Sequence, residues 1–308
     1  MTDSYAIETR GLSRTFGRQT AVDGLNLLVP RGCIYGFLGP NGAGKTTTIR
    51  LLLGLLRPTN GNIRLMGEPI IYGQPNLRSS VGALAETPTL YPHLTGAENL
   101  EVTRRMLGLP KTHVAEALEM VGLTADARRL VHSYSLGMRQ RLGLALACLA
   151  KPSLLILDEP GNGLDPAGTR ELRTLLRRFV HEQDATVFLS SHVLSEVEQI
   201  ADRIGIIHRA RLLFQGRLDE LKGYERKLRI RVDQCEKTRE ILKTEGWRIS
   251  ESSEGWISVR ISSDTDAVVV NKILVEKGIQ VLALQPQQAT LEDLFIHLTS
   301  PSDKGTAA

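Results

Sequence analysis

An apolar run, Cys33 to Leu38, feeds into Gly39-Pro40-Asn41-Gly42-Ala43-Gly44-Lys45-Thr46-Thr47, and this junction narrows the possible folds more than any other stretch. The spacing GxxxxGK[ST] is that of a loop which cradles phosphate between a strand and a helix. Its glycines let consecutive backbone N–H groups curve around phosphate oxygens without Cβ clashes. The helix expected next, about Thr46 to Leu56, adds its partly positive N-terminus. Lys45 would then meet the β- and γ-phosphates, and Thr46 would offer its hydroxyl to Mg2+. A glycine-rich turn that only imitates the pattern is the alternative; strand, loop and helix arriving in the required order argue against it.

The rest of the chain supplies the architecture around that loop. Alternating apolar residues predict strands over Tyr5 to Leu12, Leu25 to Val29 and Asn62 to Met66. Helical periodicity then takes over in Ala97 to Leu107, Lys111 to Val121 and Leu136 to Leu149. Strand and helix alternate again through Leu154 to Leu157, Ala167 to His181, Ala185 to Leu189, Val193 to Ile200 and Arg203 to Ile207. Strands that read as nearly continuous apolar runs are buried on both faces, which predicts an α/β core with a largely parallel sheet. The helical stretch, about residues 87–150, is an insertion in that core.

A boundary is expected near Gly223, after a short helix from Leu218 to Lys222, giving domains over 1–222 and 223–300. The second reads as strand Lys227 to Val232, helix Glu236 to Glu245, strands Trp247 to Glu251 and Trp256 to Ile261, helix Thr265 to Lys277 and strand Ile279 to Gln285. That order suits a small α+β, ferredoxin-like βαββαβ unit. The small, polar residues 301–308 read as a disordered tail.

At 308 residues the chain can bury two cores. No apolar run approaches the roughly 20 residues that cross a bilayer; Leu142 to Ala150 is short and ends at Lys151. Met1 to Arg10 lacks the basic-then-apolar layout of a signal peptide. The three cysteines, Cys33, Cys148 and Cys235, are scattered and odd in number, which predicts a reducing cytosol. A net charge of +4 invites an anionic partner, yet no basic run reaches five residues, which favours solvated faces over such a partner.

Two further motifs carry chemistry. Leu154-Leu155-Ile156-Leu157-Asp158-Glu159-Pro160 sets two acids at the end of an apolar strand, where a parallel sheet presents ligand sites. Asp158 is the candidate Mg2+ holder and Glu159 the candidate base for an attacking water; ordinary loop acids are the alternative. Ser135-Leu136-Gly137-Met138-Arg139-Gln140 opens a helix with a capping residue type. Facing a γ-phosphate, that helix end with Ser135 and Gly137 would be a second anion site.

Taken in order, these motifs resemble the nucleotide-binding subunit of the ATP-binding-cassette transporters. The likeness covers about residues 5–222 and adds the loop Gly163-Leu164-Asp165 and His192 after Ser190-Ser191. It implies a P-loop NTPase core with a helical subdomain, and ATP with Mg2+ as cofactors. It places Phe16 on adenine, Gly39 to Thr47 on the phosphates, and Ser135, Gly137 and Gln140 in the signature that meets the γ-phosphate. Lys45, Glu159 and the switch histidine His192 carry catalysis; Thr46, Asp158 and Glu86 are the metal set. A core residue is the alternative reading of Phe16, and His192, taken alone, is more often a structural histidine.

The resemblance also implies two such domains closing head to tail, the second being either another copy or a related subunit, with a homodimer expected, and a polytopic membrane subunit as partner. The chain would then be cytoplasmic and peripheral on the inner face of the membrane. Two positions depart from the family's pattern: Tyr134 stands where Leu usually opens the signature, and Glu86 where Gln is typical. An ionised carboxylate accepts hydrogen bonds but donates none, and it adds negative charge beside triphosphate. Glu86 with Tyr91-Pro92-His93-Leu94-Thr95, the Tyr134 to Arg141 segment and Leu291-Glu292-Asp293-Leu294-Phe295 resemble the subgroup serving ABC-2-type membrane subunits, which includes bacitracin-type and lantibiotic-type exporters.

A different class, a cassette ATPase acting on nucleic acid or ribosomes, stays open on the positive charge. Such proteins usually carry two cassettes, long coiled coils or zinc insertions, and no such feature occurs in this sequence, so no nucleic-acid partner is expected. The C-terminal unit reads either as a support for dimerisation or as a ligand-sensing regulator.

Overall fold

A computed structural model describes residues 5–72, 80–85, 88–218, 220, 226–250, 255–288 and 290–299. The chain opens on a long strand, β1 (Tyr5–Phe16), which runs past the expected end at Leu12. It serves two neighbours in turn. Its far half pairs antiparallel with β2 (Gln19–Leu25), and its near half with β3 (Leu28–Pro30). One strand was expected over Leu25 to Val29; the structure has a break there instead. Asn26 causes it: its carbonyl accepts the Gly11 N–H at 2.8 Å and its amide donates to Gly24 O at 3.2 Å. Asn side chains satisfy local backbone in this way at the expense of the ladder.

β4 (Ile34–Leu38) is buried at every residue and leads into helix α1 (Lys45–Leu52), which stops a turn short of Leu56. β5 (Asn60–Leu65) and β6 (Glu68–Pro69) complete an antiparallel sheet in the order β2-β1-β5-β6, with β3 also on β1. The core was expected to be largely parallel; this antiparallel layer is a second sheet beside it. β7 (Val81–Leu84), β8 (Leu154–Leu157), β9 (Thr186–Ser191), β10 (Arg203–His208) and β11 (Arg211–Arg217) join β4 in a sheet of order β11-β10-β4-β9-β8-β7. The pairings from β10 through β4, β9 and β8 to β7 are all parallel. Residues of both sheets, among them Ile7, Val29, Phe37 and Phe188, share one core, with Phe188 stacked 5.7 Å from Tyr35.

Between β7 and β8 lies the helical insertion: α2 (Gly96–Met106), α3 (Thr112–Met120) and α4 (Leu136–Cys148), around Leu100, Leu118 and Leu142. Thr95 and Glu98 form a reciprocal capping box that starts α2. The large α5 (Pro166–Gln183) follows β8, and the shorter α6 (Leu194–Glu198) follows β9. Asp165, in the loop singled out above, caps α5 by accepting the Gly168 N–H at 2.7 Å.

The chain divides into two compact units, Met1–Gly216 and Arg217–Ala308. In the second, β12 (Arg226–Val232), α7 (Cys235–Thr244), β13 (Ile249–Ser250), β14 (Trp256–Ile261), α8 (Asp264–Glu276) and β15 (Val281–Gln288) give the expected βαββαβ order. The antiparallel sheet order β13-β14-β12-β15 is ferredoxin-like. Alternation sets its faces: Leu228, Ile230 and Val232 join Leu242, Val270 and Leu274 in the core. On the opposite face the Arg229 guanidinium lies 4.6 Å from the Trp256 ring centre. A last helix, α9 (Leu291–Thr299), contains the Leu291 to Phe295 segment. Glu251, most of Leu218 to Lys222 and the tail 301–308 lie outside the described residues. No helix among the described residues is long and apolar enough to cross a membrane.

Candidate functional site

The parallel sheet gathers the site because its strands end side by side. At the end of β4 the chain turns through Gly39 to Gly44 and starts α1 at Lys45. Gly44 sits at φ 112°, and a Cβ there would lie 2.3 Å from Ala21 O, so only glycine fits this close approach. Ala43 is buried, with its N–H on Pro40 O at 3.1 Å and its carbonyl accepting Ala210 N–H at 3.1 Å. The loop is thereby pinned to the turn after β10.

Lys45 is 5% exposed. Its ammonium donates to Gly39 O at 2.7 Å and stands 3.2 Å from Glu159 Oε1. The other Glu159 oxygen, Oε2, lies 2.7 Å from His192 Nδ1. With the ring proton on Nδ1, His192 donates to the carboxylate. One carboxylate is thus held between a cation from the glycine loop and a ring from the end of β9. Lys45, Glu159 and His192 line an open cleft with Phe16, Thr46 and Thr47.

The backbone supports this arrangement. Glu159 has φ 49°, in the left-handed region that non-glycine residues seldom adopt. Its N–H donates to Ser190 Oγ at 2.9 Å, and its carbonyl accepts the Asn162 N–H at 3.0 Å. Asp158, 4% exposed, accepts a hydrogen bond from Ser190 Oγ at 2.5 Å. Phe16 is 45% exposed and lines the cleft, with the Arg14 guanidinium over its ring at 4.5 Å, which corrects the core alternative.

The signature residues are elsewhere. Ser135 caps α4, accepting the Met138 N–H at 3.2 Å, and lines a different hollow with Gly137, Gln140 and Leu164. Gln140 connects the two regions by donating from Nε2 to Pro160 O at 2.8 Å. Tyr134, the departure from the pattern, is 3% exposed and belongs to the helical core. Its hydroxyl donates to Asp126 O at 2.7 Å, and a Cβ on Gly96 would come within 2.3 Å of it. Burial raises the Tyr134 phenol above its ordinary pKa. Glu86 lies outside the described residues.

Sequence reasoning missed Thr20, Asn162 and Ser190. Thr20 reaches the cleft through the hairpin after Phe16, and Asn162 through the turn that follows the acids. The Gly161-Asn162-Gly163 turn pattern was the available signal for the second; Ser190 had none beyond adjacency to Ser191-His192.

The fold and this cleft define a nucleotide-binding cassette. A family model described as ABC transporter matches residues 22–162, and one for the C-terminal domain of DrrA1-3-like ATP-binding proteins matches 216–299. The chain belongs to the ABC transporter family as an ATP-binding subunit. Bacitracin transport ATP-binding protein BcrA of Bacillus licheniformis is 43% identical over 300 residues, covering 96% of this chain and 97% of that protein. Lantibiotic transport ATP-binding protein SrtF of Streptococcus pyogenes is 39% identical over 219 residues, 71% of this chain and 94% of its own length. Among solved structures, CbiO1 of Clostridium perfringens, part of the ABC transporter complex CbiONQ, superposes with a TM-score of 0.66 at 26% identity, covering 78% of this chain and 95% of that one.

Proposed function

We propose that this protein hydrolyses ATP and that the released work drives export of a peptide antibiotic or another amphiphile through a separate polytopic membrane subunit. The observation that carries the reading is the Glu159 carboxylate held between Lys45 and His192 in the cleft below the glycine loop. The names of the bacitracin and lantibiotic transport relatives support the cargo class. Attachment to the inner face of the membrane then comes through the partner subunit. No relative cited above favours the nucleic-acid alternative.

The residues present fit the nucleotide and its metal. The tight Gly44 cradle brings backbone N–H groups close to a phosphate, and the hydroxyl and carboxylate of Thr46 and Asp158 are the hard oxygen ligands that Mg2+ takes. Mg2+, when bound, would offset the charge of the terminal phosphates. Glu86, by family likeness, completes the metal set. Lys45 binds the β- and γ-phosphates, and Phe16 stacks on the base. Glu159 orients the attacking water and takes its proton, while His192 holds Glu159 through Nδ1 and keeps Nε2 for the γ-phosphate.

Ser135, Gly137 and Gln140 line a hollow apart from their own chain's phosphate loop. A second copy, docked head to tail, therefore supplies them to each nucleotide, and the segment from Glu86 to Leu107 passes the closing motion to the membrane partner. Glu159→Gln tests the assignment. It removes the base but leaves the binding groups, so turnover should fall by roughly 10²- to 10⁴-fold. ATP should then hold the variant as a dimer in size-exclusion chromatography. Turnover equal to the parent's refutes the base assignment, and failure to co-purify with a polytopic membrane protein refutes the export role.

A further inference from the structure

We propose that Ser190 is a positioning residue for both acids, a role that rests on the hydrolytic reading above. Its hydroxyl is the only side-chain group among the described contacts that touches Asp158 and Glu159 together. It donates its one proton to Asp158 Oδ1 at 2.5 Å and accepts the Glu159 N–H at 2.9 Å. A hydroxyl is the side-chain group that donates once and accepts at the same oxygen. Ser190 is 0% exposed, so its partners are fixed by protein and not shared with water.

The two bonds act on different quantities. The bond to Asp158 fixes the rotation of that carboxylate, committing Oδ1 and directing Oδ2 as a metal ligand. The bond from Glu159 N–H holds a non-glycine residue at φ 49°, a conformation that persists only when its surroundings over-determine it. That backbone state in turn places the Glu159 carboxylate between Lys45 and His192. Register explains why this residue can do both: Leu157 pairs with Leu189 in the β8–β9 ladder, so Ser190 is the next residue beside the acids.

Ser190→Ala removes both bonds at the cost of one oxygen atom; Ser190→Thr keeps them. Mn2+ serves as the probe for the metal site, titrated by electron paramagnetic resonance with ATP bound, beside ATP affinity in EDTA, turnover and melting temperature. The expected result is Mn2+ binding weakened roughly 10-fold or more in Ser190→Ala, with metal-free ATP affinity unchanged, and recovered in Ser190→Thr; a coupling of that size is typical of groups orienting a metal ligand. Unchanged Mn2+ affinity in Ser190→Ala overturns the proposal, including when melting temperature falls, since that pattern marks a packing role alone. A parent protein that binds Mn2+ and ATP without turnover sinks the hydrolytic reading, while the Mn2+ comparison still decides Ser190.

Discussion

The glycine-loop cleft and the start of α4 both offer groups suited to a phosphate, but they are built to different degrees of completion. In the cleft Lys45 is almost fully buried, as is Asp158 beside Glu159, and Phe16 at the end of β1 meets residues that follow β4, β8 and β9 within a single chain. At the start of α4, Ser135 is exposed, Leu136 is 46% exposed, and the Ser135 hydroxyl is occupied in capping its own helix. A buried charge is kept only where partners hold it, so the cleft's geometry is set by internal contacts. The helix start has no such constraint, and under the head-to-tail pairing proposed above it would face phosphate only on another molecule. On that proposal the first is a site and the second half of one.

That contrast is open to attack at both ends. The largest effect on nucleotide binding is expected at Lys45: Lys45→Ala removes a charge-assisted contact of about 1.5–3 kcal/mol. Nucleotide affinity should fall by roughly 10- to 100-fold in equilibrium titration, even when the protein is monomeric. Phe16→Ala should weaken binding through lost stacking of about 1–3 kcal/mol, with turnover at saturating ATP retained. Gly137→Ala is the sharpest probe of the half-site. A Cβ there meets only Leu164 Cδ2 at 3.7 Å, ordinary contact within the chain. Replacing a helical glycine should therefore stabilise the fold by up to about 1 kcal/mol in urea titration. Turnover should nevertheless drop by roughly 10-fold, about 1.4 kcal/mol at the transition state, because the facing phosphate loses its close approach. Unchanged turnover would mean that no second molecule packs on this surface.

Smaller effects separate the helical insertion from the chemistry. Tyr134→Phe deletes the bond to Asp126 O and should cost about 1 kcal/mol of stability, with turnover unaffected. Glu101 provides a pH signature: hydrogen bonds from Arg104 and Arg105 lower its pKa from 4.5 to about 2. A carboxylate depressed on folding contributes stability above its unfolded pKa and loses it as pH falls through the folded one. The stability difference between parent and Glu101→Gln should therefore shrink as pH drops from about 4.5 toward 2 in acid titration of the folded protein.

Some elements were legible because their pattern is local. The run Ile34 to Leu38, the loop at Gly39 to Lys45 and the strand Leu154 to Leu157 each state their structure within a few residues. So does the βαββαβ alternation of the second unit, whose half-buried strands alternate in and out. Other elements were hidden for stated reasons. β7 is only four residues, Val-Gly-Ala-Leu, too short and too small-sided to announce a strand. The split of Leu25 to Val29 depends on Asn26 meeting Gly11, a residue 15 positions away. Tyr134 gave no account of itself in the sequence; its reason is a carbonyl in the loop before it and the absent Cβ of Gly96.

From its order of residues alone, the chain fixed the kinds of groups it offers to phosphate, because a glycine loop, an acid pair and a helix cap each act through neighbours along the backbone. Only the folded sheet decided which of those groups meet. Lys45 lies more than a hundred residues before Glu159, and His192 lies 33 after it, yet parallel strands of matched register end at one level and bring them within hydrogen-bonding reach. The same packing kept Ser135 apart from them and placed Ser190 beneath the acids, because contact in three dimensions follows strand order and not sequence distance.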